Sequence, residues 1–136
     1  MSRKIFVNLP VSDLGRSIAF YRVLGFSFNE QFTDETAACM VISEHNYAML
    51  LTHDKFRSFV TKPIADAQRT TGVLIALALE SKAEVDAMVA AAVQAGGTEP
   101  RPPTDHGFMF IRAFEDPDGH VWEPFWMDPA QVRAGQ

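Results

Sequence analysis

The sequence is short of cysteine, and this scarcity excludes two kinds of stabilisation. Its 136 residues include a single cysteine, Cys39, so neither an internal disulfide nor a cysteine-based zinc site can form. Cys39 lies in an apolar run, where we expect a thiol to be buried and unreactive. A reducing, cytoplasmic setting fits this composition best.

Positive charge is also scarce. Twelve lysines and arginines stand against 17 aspartates and glutamates, the formal net charge is −5, and no basic cluster interrupts this balance. Such a chain has no electrostatic footprint for nucleic acid or for an anionic membrane. Its apolar runs are too short for a signal peptide or a membrane span. We therefore expect neither nucleic acid nor membrane as a partner.

Several catalytic motifs are missing as well. The sequence contains no serine-hydrolase elbow, no phosphate-binding loop and no dinucleotide fingerprint, so it gives no support to those chemistries. With 47% hydrophobic and 21% charged residues, the chain is instead typical of one folded domain that can bury a core.

The first half of the chain has the predicted order βαβββ. Residues 4–9 form a strand that we expect to stop pairing at Pro10. A helix follows, capped by Ser12 or Asp13 and ended by Gly25. The three further strands are residues 26–32, 36–42 and 47–53.

The second half repeats that order. Residues 72–79 form an apolar strand, and Ser81 with Glu84 makes a capping box for a helix that ends at residues 96–97. The proline-rich segment 98–103 is an extended edge. Residues 108–114 and 120–127 form a hairpin about a turn at 116–119. We therefore predict a single domain of two modules, residues 1–53 and 72–136, joined by a connector at 54–71 with a short amphipathic helix.

Three features together carry a family resemblance: the repeated βαβββ order, residues 9–26 (LPVSDLGRSIAFYRVLGF) and residues 115–123 (EDPDGHVWE). They resemble the vicinal oxygen chelate superfamily, which includes glyoxalase I, bleomycin-resistance proteins, fosfomycin-resistance enzymes and extradiol dioxygenases. The resemblance implies an α+β fold whose two modules pair into an open barrel with a central ligand-binding cleft. It does not specify the reaction.

The resemblance also implies where a metal would bind. In the superfamily's metalloenzymes, histidine and glutamate on the first and last strands of each module hold a divalent ion. Carried onto this chain, those positions are Phe6, Leu50, Leu74 and Glu123. Three of them are apolar, and a lone carboxylate does not hold Zn²⁺, Ni²⁺ or Fe²⁺ against water. We therefore expect no metal cofactor, with Glu123 the only retained ligand position, although a divalent metal stays an alternative.

Glu123 needs a partner, because burying a carboxylate without one is costly. If Glu115 pairs with His120 across the turn, the same register places Arg112 opposite Glu123 and predicts an ion pair. A bulge after Gly119 would shift this register by one residue. A structural ion pair, a ligand contact and a metal-ligand role all stay open for Glu123.

Two functions fit these observations. The first is a metal-free protein, similar to bleomycin-resistance proteins, that binds a small apolar or aromatic molecule in the cleft. The second is a metal-dependent lyase or dioxygenase with Glu123 as one ligand. Open sheet edges favour a homodimer in either case.

The candidate site residues follow from strand alternation and from the aromatic content of the strands. We expect Phe6, Asn8, Leu50, Leu74 and Glu123 to share the cleft face. His106 is the candidate acid or base, because imidazole titrates near neutrality, and its alternative role is a loop histidine hydrogen-bonded to Asp105 or water. The predicted ligand-binding residues are Phe6, Asn8, Leu50, Leu74, Phe110, Arg112 and Glu123.

Overall fold

A computed structural model describes residues 3–134 of the chain. The chain divides into two compact units, Met1–Asp66 and Ala67–Gln136, and the boundary falls inside the predicted connector. Each unit contains its own mixed sheet with helices, in the repeated βαβββ order. The predicted α+β fold class with two such modules is therefore confirmed.

Unit 1 has a four-stranded sheet in the order β1-β4-β3-β2. Strand β1 pairs with β4 in parallel, and the other neighbours are antiparallel. The predicted strand at 26–32 is shorter than expected, because a 3₁₀ turn at Glu30–Phe32 replaces its second half. The elements are β1 Ile5–Val11, α1 Leu14–Val23, β2 Ser27–Asn29, β3 Ala37–Val41, β4 Asn46–Thr52 and α2 His53–Arg57.

The first strand runs through Pro10, where we expected its pairing to stop. Pro10 stands opposite Leu51, and β1 continues to Val11. The reason is that β1 is an edge strand, which has a neighbouring strand on one side only. A proline is tolerated in such a strand where its missing N–H would face the unpaired side, because no hydrogen bond between strands is lost there.

The ends of α1 agree with the sequence prediction. The Asp13 side chain accepts a hydrogen bond from the Arg16 amide at 3.1 Å, which caps the first turn. Gly25 has a φ of +102°, and the amide after it, that of Phe26, donates to the Tyr21 carbonyl at 3.1 Å. This six-residue closure is a Schellman motif, which needs a left-handed residue such as glycine.

Unit 2 has a sheet in the order β5-β9-β7-β6, and β8 also pairs with β9. Strand β5 is parallel to β9, and the other pairs are antiparallel. The predicted strand at 108–114 is interrupted, so β7 and β8 are its two parts. The elements are β5 Leu74–Ala78, α3 Lys82–Gln94, β6 Thr104–Asp105, β7 Met109–Ile111, β8 Phe114–Glu115, β9 Val121–Met127 and α4 Pro129–Ala134.

The capping box of α3 forms with a small change. The Glu84 amide donates to Ser81 Oγ at 3.1 Å, as a capping box requires. The Glu84 carboxylate reaches back to the amide of Glu80, at 2.7 Å, one residue before the cap. Two amides at the helix start are thus paired.

The turn at residues 116–119 closes the hairpin and also lies against the connector. The carboxylate of Asp116, a buried residue, accepts hydrogen bonds from the amides of Asp118 and His120, both at 2.9 Å. Gly119 has a φ of +95°, and a β carbon there would lie 2.6 Å from the Ala67 carbonyl oxygen. Glycine is therefore needed at 119 for two reasons, its backbone conformation and the close approach of the connector.

This turn sets a hairpin register one residue away from the expected one. Glu115 stands opposite Val121, where we expected His120. The Arg112 amide accordingly donates to the Pro124 carbonyl at 3.1 Å. The predicted pairing of Arg112 with Glu123 is therefore wrong, because the shift after Gly119 moves the two residues to opposite faces of the sheet.

Each unit buries both aliphatic and aromatic side chains. The buried set of unit 2 includes the aromatic pair Phe114 and Trp122, whose rings stack with centroids 6.3 Å apart. The buried core of unit 1 includes Leu9, Val11, Phe20, Tyr21, Ala38, Met40, Ala48, Leu50 and Leu51.

Within residues 3–134, none of the helices has the length and apolar character needed to cross a bilayer.

Candidate functional site

The predicted site residues of unit 1 separate onto two faces of its sheet. Phe6 stands opposite Tyr47, Asn8 opposite Met49, and Leu9 opposite Leu50. Because side chains alternate along a strand, Leu50 lies on the face opposite Phe6 and Asn8. Leu50 is also fully buried. The expectation that Leu50 shares a face with Phe6 and Asn8 is therefore wrong.

The last-strand position of unit 1 that corresponds to Glu123 lies one residue before Leu50. In unit 2 the partner of Glu123 across the parallel pair is Ala76, two residues after Leu74. In unit 1 the residue two after Phe6 is Asn8, and its partner is Met49. Met49 is thus the structural counterpart of Glu123, and its thioether is a poor ligand for the metals that oxygen and nitrogen donors bind.

Unit 1 contains an apolar pocket beside Asn8. It has a volume of about 430 Å³ and is lined by Asn8 and Leu51 from the sheet and by Phe56, Phe59 and Val60 from α2 and the segment after it. The Asn8 amide nitrogen donates to the Phe6 carbonyl at 3.2 Å, which helps to hold the side chain. This side of the sheet therefore offers one amide within an apolar wall.

The same wall borders a second, smaller space. A pocket of about 360 Å³ also has Phe56, Phe59 and Val60 in its lining, together with residues 61–63. Phe59 is 65% exposed, and the Lys55 ammonium lies 5.4 Å from the centre of its ring. These three residues lie in the connector at 54–71, for which the sequence predicts a short amphipathic helix and no site. The feature of the sequence that could have indicated a site is the closeness of three apolar residues in a segment without the alternation of a strand.

Phe6 forms an aromatic stack at the start of β1. Its ring is stacked on Tyr47, with centroids 4.7 Å apart and planes 12° from parallel. The Lys4 ammonium lies 5.8 Å from the Tyr47 ring centre, and Phe6 is half exposed. The predicted ligand residue Phe6 therefore already has an aromatic neighbour in its own unit.

In unit 2, Leu74 and Glu123 share one face of the sheet, as expected. The register places Leu74, Ala76 and Ala78 on this face with Glu123 and Phe125. All three β5 residues are exposed, and Leu74 is 54% exposed. We call these five residues the β5–β9 face. It is an apolar surface with one acidic residue.

Glu123 forms an ion pair with Arg101, a residue that the sequence patterns do not connect with it. Arg101 Nη2 is hydrogen-bonded to Glu123 Oε2, and Arg101 Nη1 donates to Thr104 Oγ1 at 3.3 Å. The side chain of Arg101 is 40% exposed and that of Glu123 is 20% exposed. Arg101 lies in the segment predicted as an extended edge, and that placement next to the hairpin was the signal that could have suggested it.

Arg112 has a different pair of partners. Its guanidinium donates to both carboxylate oxygens of Glu99, at 3.0 and 2.9 Å, and to Asp86 of α3 at 2.7 Å. Burial alone would lower the pKa of Arg112, but the hydrogen bonds to Asp86 and Glu99 outweigh it and raise the pKa. The half-buried Arg112 thus connects the end of β7 to α3 and to the edge segment, on the face of the sheet opposite Glu123.

Phe110 also lies away from Glu123. It stands opposite Trp126, which the alternation of β9 places on the face opposite Glu123. The Lys82 ammonium, at the start of α3, lies 5.9 Å from the Phe110 ring centre and 5.5 Å from that of Trp126. Lys82 also lies 3.5 Å from Asp105. These contacts make Phe110 part of a helix–sheet cluster.

His106 lies in an exposed loop between β6 and β7. Its amide donates to the Met109 carbonyl at 2.8 Å, and its ring stacks on Phe108 with centroids 6.1 Å apart. The neighbouring Asp105 carboxylate accepts from the Gly107 amide, and that bond, followed by the charge of Lys82, lowers the pKa of Asp105. A catalytic role for His106 stays a prediction.

The donor set does not fit a metal at the family's usual positions. Among the described residues, no group of three or more histidine, cysteine, aspartate or glutamate side chains is arranged to hold an ion. The one retained carboxylate, Glu123, already has a cationic partner in Arg101. The side chains of Phe6, Met49 and Leu74 contain no oxygen or nitrogen donor.

The sequence matches a family model, and the fold matches solved structures. Residues 5–123 match the family model of the Glyoxalase/Bleomycin resistance protein/Dioxygenase superfamily, and the chain belongs to this superfamily. No curated protein matches the sequence.

Among solved structures, a hypothetical protein from S. aureus is 26% identical, with 93% of this chain and 94% of that chain covered and a TM-score of 0.78. A glyoxalase-related enzyme from Fulvimarina pelagi is 20% identical, with 93% and 88% covered and a TM-score of 0.77. A glyoxalase/bleomycin resistance protein/dioxygenase family enzyme from Burkholderia phytofirmans is 19% identical, with 93% and 99% covered and a TM-score of 0.75. At these identities the last two likenesses concern the fold alone.

Proposed function

We propose that this protein binds a small apolar or aromatic molecule and that it does so without a metal. The observation that supports this most is the pocket of unit 1, with its volume of about 430 Å³. Pockets for small ligands typically measure roughly 300–1,000 Å³, with mostly apolar walls and few polar groups. The Asn8 pocket has this character, since four of its five lining residues are apolar.

The aromatic walls suit a planar ligand. Phe56 and Phe59 offer ring faces and edges for stacking, and Leu51 with Val60 completes an aliphatic surface. Asn8 contributes an amide that can orient one polar substituent of the ligand. A flat molecule with one hydroxyl or carbonyl group matches this combination.

The metal-free part of the proposal is supported by the donor set around Glu123. A metal bound there would have to share the Glu123 carboxylate with Arg101, and the described residues include no group of three or more histidine, cysteine, aspartate or glutamate side chains that could complete a site for Zn²⁺, Ni²⁺ or Fe²⁺. The metal-dependent lyase or dioxygenase alternative gains no support from this arrangement. A homodimer remains part of the proposal, because β1 and β5 are edge strands of their own sheets.

The binding proposal is tested with 1-naphthol as the probe. Titration of the ¹⁵N-labelled protein should shift the side-chain amide signals of Asn8 and the backbone signals of residues 56–60. Filling the pocket with Val60→Phe should weaken binding by about tenfold or more, since a lost site removes at least 1.4 kcal/mol of binding free energy. Val23→Phe is the matched control, because Val23 is an exposed valine of α1 outside the pocket lining. Equal binding by both variants would contradict the proposal.

A further inference from the structure

Three side chains of unit 2 stand in one row across neighbouring strands. Asp105 of β6 lies opposite Phe110 of β7, and Phe110 lies opposite Trp126 of β9. Residues directly opposite each other on paired strands project from the same face of the sheet. We call these three residues the Asp105–Trp126 row. It combines one carboxylate with two aromatic rings, on the face opposite Glu123 because side chains alternate along β9.

An ammonium group already lies against this row. The ammonium of Lys82, the first residue of α3, lies 5.5 Å from the Trp126 ring centre and 5.9 Å from that of Phe110. It also lies 3.5 Å from Asp105 Oδ2. Both ring distances are close to the outer limit of about 6 Å for a cation–π contact, so a cation that carries methyl groups has room to bind there.

Lys82 is held loosely in this position. Its side chain is 43% exposed and that of Asp105 is 50% exposed, so solvent screens their attraction. A primary ammonium is strongly hydrated, and Lys82 can therefore move into solvent at small cost. Asp105 stays ionised when Lys82 leaves, because the hydrogen bond from the Gly107 amide, at 2.8 Å, lowers the pKa of its carboxyl group.

From these observations we propose that the Asp105–Trp126 row binds the methylated ammonium group of a small organic cation, which displaces Lys82. N-methylation weakens the hydration of the cation and adds apolar surface, so aromatic rings favour it over a primary ammonium. The formal net charge of −5 also favours a cation over an anion near the chain. A cation site goes beyond the proposed function, which concerns an uncharged apolar or aromatic ligand.

The test compares three probes of related shape. Choline and 3,3-dimethyl-1-butanol differ in one atom, a positively charged nitrogen in place of a carbon, and ethanolamine has an unmethylated ammonium. Titrations at constant ionic strength are followed by ¹⁵N NMR at the indole N–H of Trp126, while that of the buried Trp122 should shift less. We expect choline to bind about fivefold or more tightly than the other two probes, the discrimination that a cation–π contact provides.

Variants test the competitor and the rings separately. Lys82→Gln removes the internal competitor and should tighten choline binding about threefold or more. Trp126→Leu removes one ring and should weaken binding about fivefold or more, read at the backbone amides of residues 104–111. Phe110→Leu, which removes the other ring, replaces it if Trp126→Leu does not fold. Lys4→Gln is the matched control, because it removes the same charge beside the Tyr47 ring of unit 1 and should leave choline binding unchanged.

The probes and the variants together decide whether the cation site exists. Choline as the tightest probe, with tighter binding by Lys82→Gln and weaker binding by a ring variant, supports it. Equal binding of choline and its uncharged isostere, tighter binding of ethanolamine, an unchanged choline affinity in Lys82→Gln, or no shift of the Trp126 indole would overturn it. Binding of 1-naphthol is read at Asn8 and with other variants, so either proposal can fail without the other.

Discussion

The two units have the same element order but place different chemistry at equivalent strand positions. In unit 1, the parallel pair β1–β4 carries Asn8 opposite Met49, next to an apolar pocket. In unit 2, the parallel pair β5–β9 carries Ala76 opposite Glu123, whose charge is matched by Arg101. One unit therefore offers shape and the other offers a hydrogen-bonding pair, so the repeat of the fold does not repeat the chemistry.

The same comparison explains why a metal site does not follow from the family. A metal centre needs several donors, and at the four equivalent strand positions unit 1 carries Asn8 and Met49 whereas unit 2 carries Ala76 and Glu123, so only one of the four is a carboxylate. Arg101 supplies the positive charge beside Glu123 that an ion would supply in a metalloenzyme.

The largest change in stability should come from comparing Leu50 with Leu74, two leucines that the sequence predicts as ligand-binding residues of the cleft. Leu50 is fully buried in unit 1, and Leu74 is 54% exposed in unit 2. Leu50→Ala should lower the free energy of unfolding by about 2–5 kcal/mol, the usual range for a buried leucine. Leu74→Ala should change it by less than about 0.5 kcal/mol. Urea denaturation measures both, and similar losses would contradict the assignment of Leu50 to the core and Leu74 to the surface.

Two glycines with similar backbone angles provide the next comparison. Gly25 of unit 1 and Gly119 of unit 2 have φ values of +102° and +95°. A β carbon meets nothing within 4 Å at Gly25 but lies 2.6 Å from the Ala67 carbonyl oxygen at Gly119. Gly25→Ala should cost about 1 kcal/mol for the left-handed backbone. Gly119→Ala should cost about 2–4 kcal/mol, because the backbone must also move. Equal losses in thermal unfolding would show that the turn does not hold the connector.

The two arginines of unit 2 should differ in their contribution to stability. Arg112→Gln leaves Glu99 and Asp86 without their cation and should cost about 1–3 kcal/mol, since Arg112 is 19% exposed. Arg101→Gln removes a more exposed partner and should cost less than about 1 kcal/mol. Chemical denaturation gives both values. A larger loss for Arg101→Gln would indicate that the Arg101–Glu123 pair is chiefly structural.

The smallest effect concerns Cys39, which is 2% exposed. Burial raises the pKa of its thiol, so the thiolate forms less readily in the folded protein than in the unfolded chain. The associated stability is fully present below the pKa of the unfolded chain and is lost as the pH rises through the higher pKa of the folded protein. Iodoacetamide at about pH 8 should therefore modify Cys39 slowly in the native protein and rapidly in urea. Fast native modification would contradict the buried position.

The elements of the fold could be predicted from local patterns. The Asp13 cap, the Gly25 and Gly119 positions and the Ser81–Glu84 box each have a short-range physical cause; the first three formed as expected, and the box formed with the Glu84 carboxylate on the Glu80 amide. The Pro10 prediction failed because a local rule cannot show that its strand is an edge.

The site was harder to predict because it depends on register. A shift of one residue after Gly119 moved Arg112 to the opposite face of the sheet from Glu123. A similar slip in aligning the modules selected Leu50 where Met49 is the equivalent residue. A register shift of one residue moves every side chain of a strand to the opposite face of the sheet. Alternation alone therefore cannot predict which side chains share a face with Glu123. Arg101 was missed because its contact with Glu123 joins segments that no local pattern connects.

The central claim is that a small molecule binds without a metal. Its most direct test is one titration of 1-naphthol, read at the Asn8 side-chain amide, carried out on protein treated with a chelator and on protein loaded with an equimolar mixture of Zn²⁺, Ni²⁺ and Fe²⁺. We predict the same dissociation constant in both samples. Loss of binding after chelation, restored by the metals, would contradict the account.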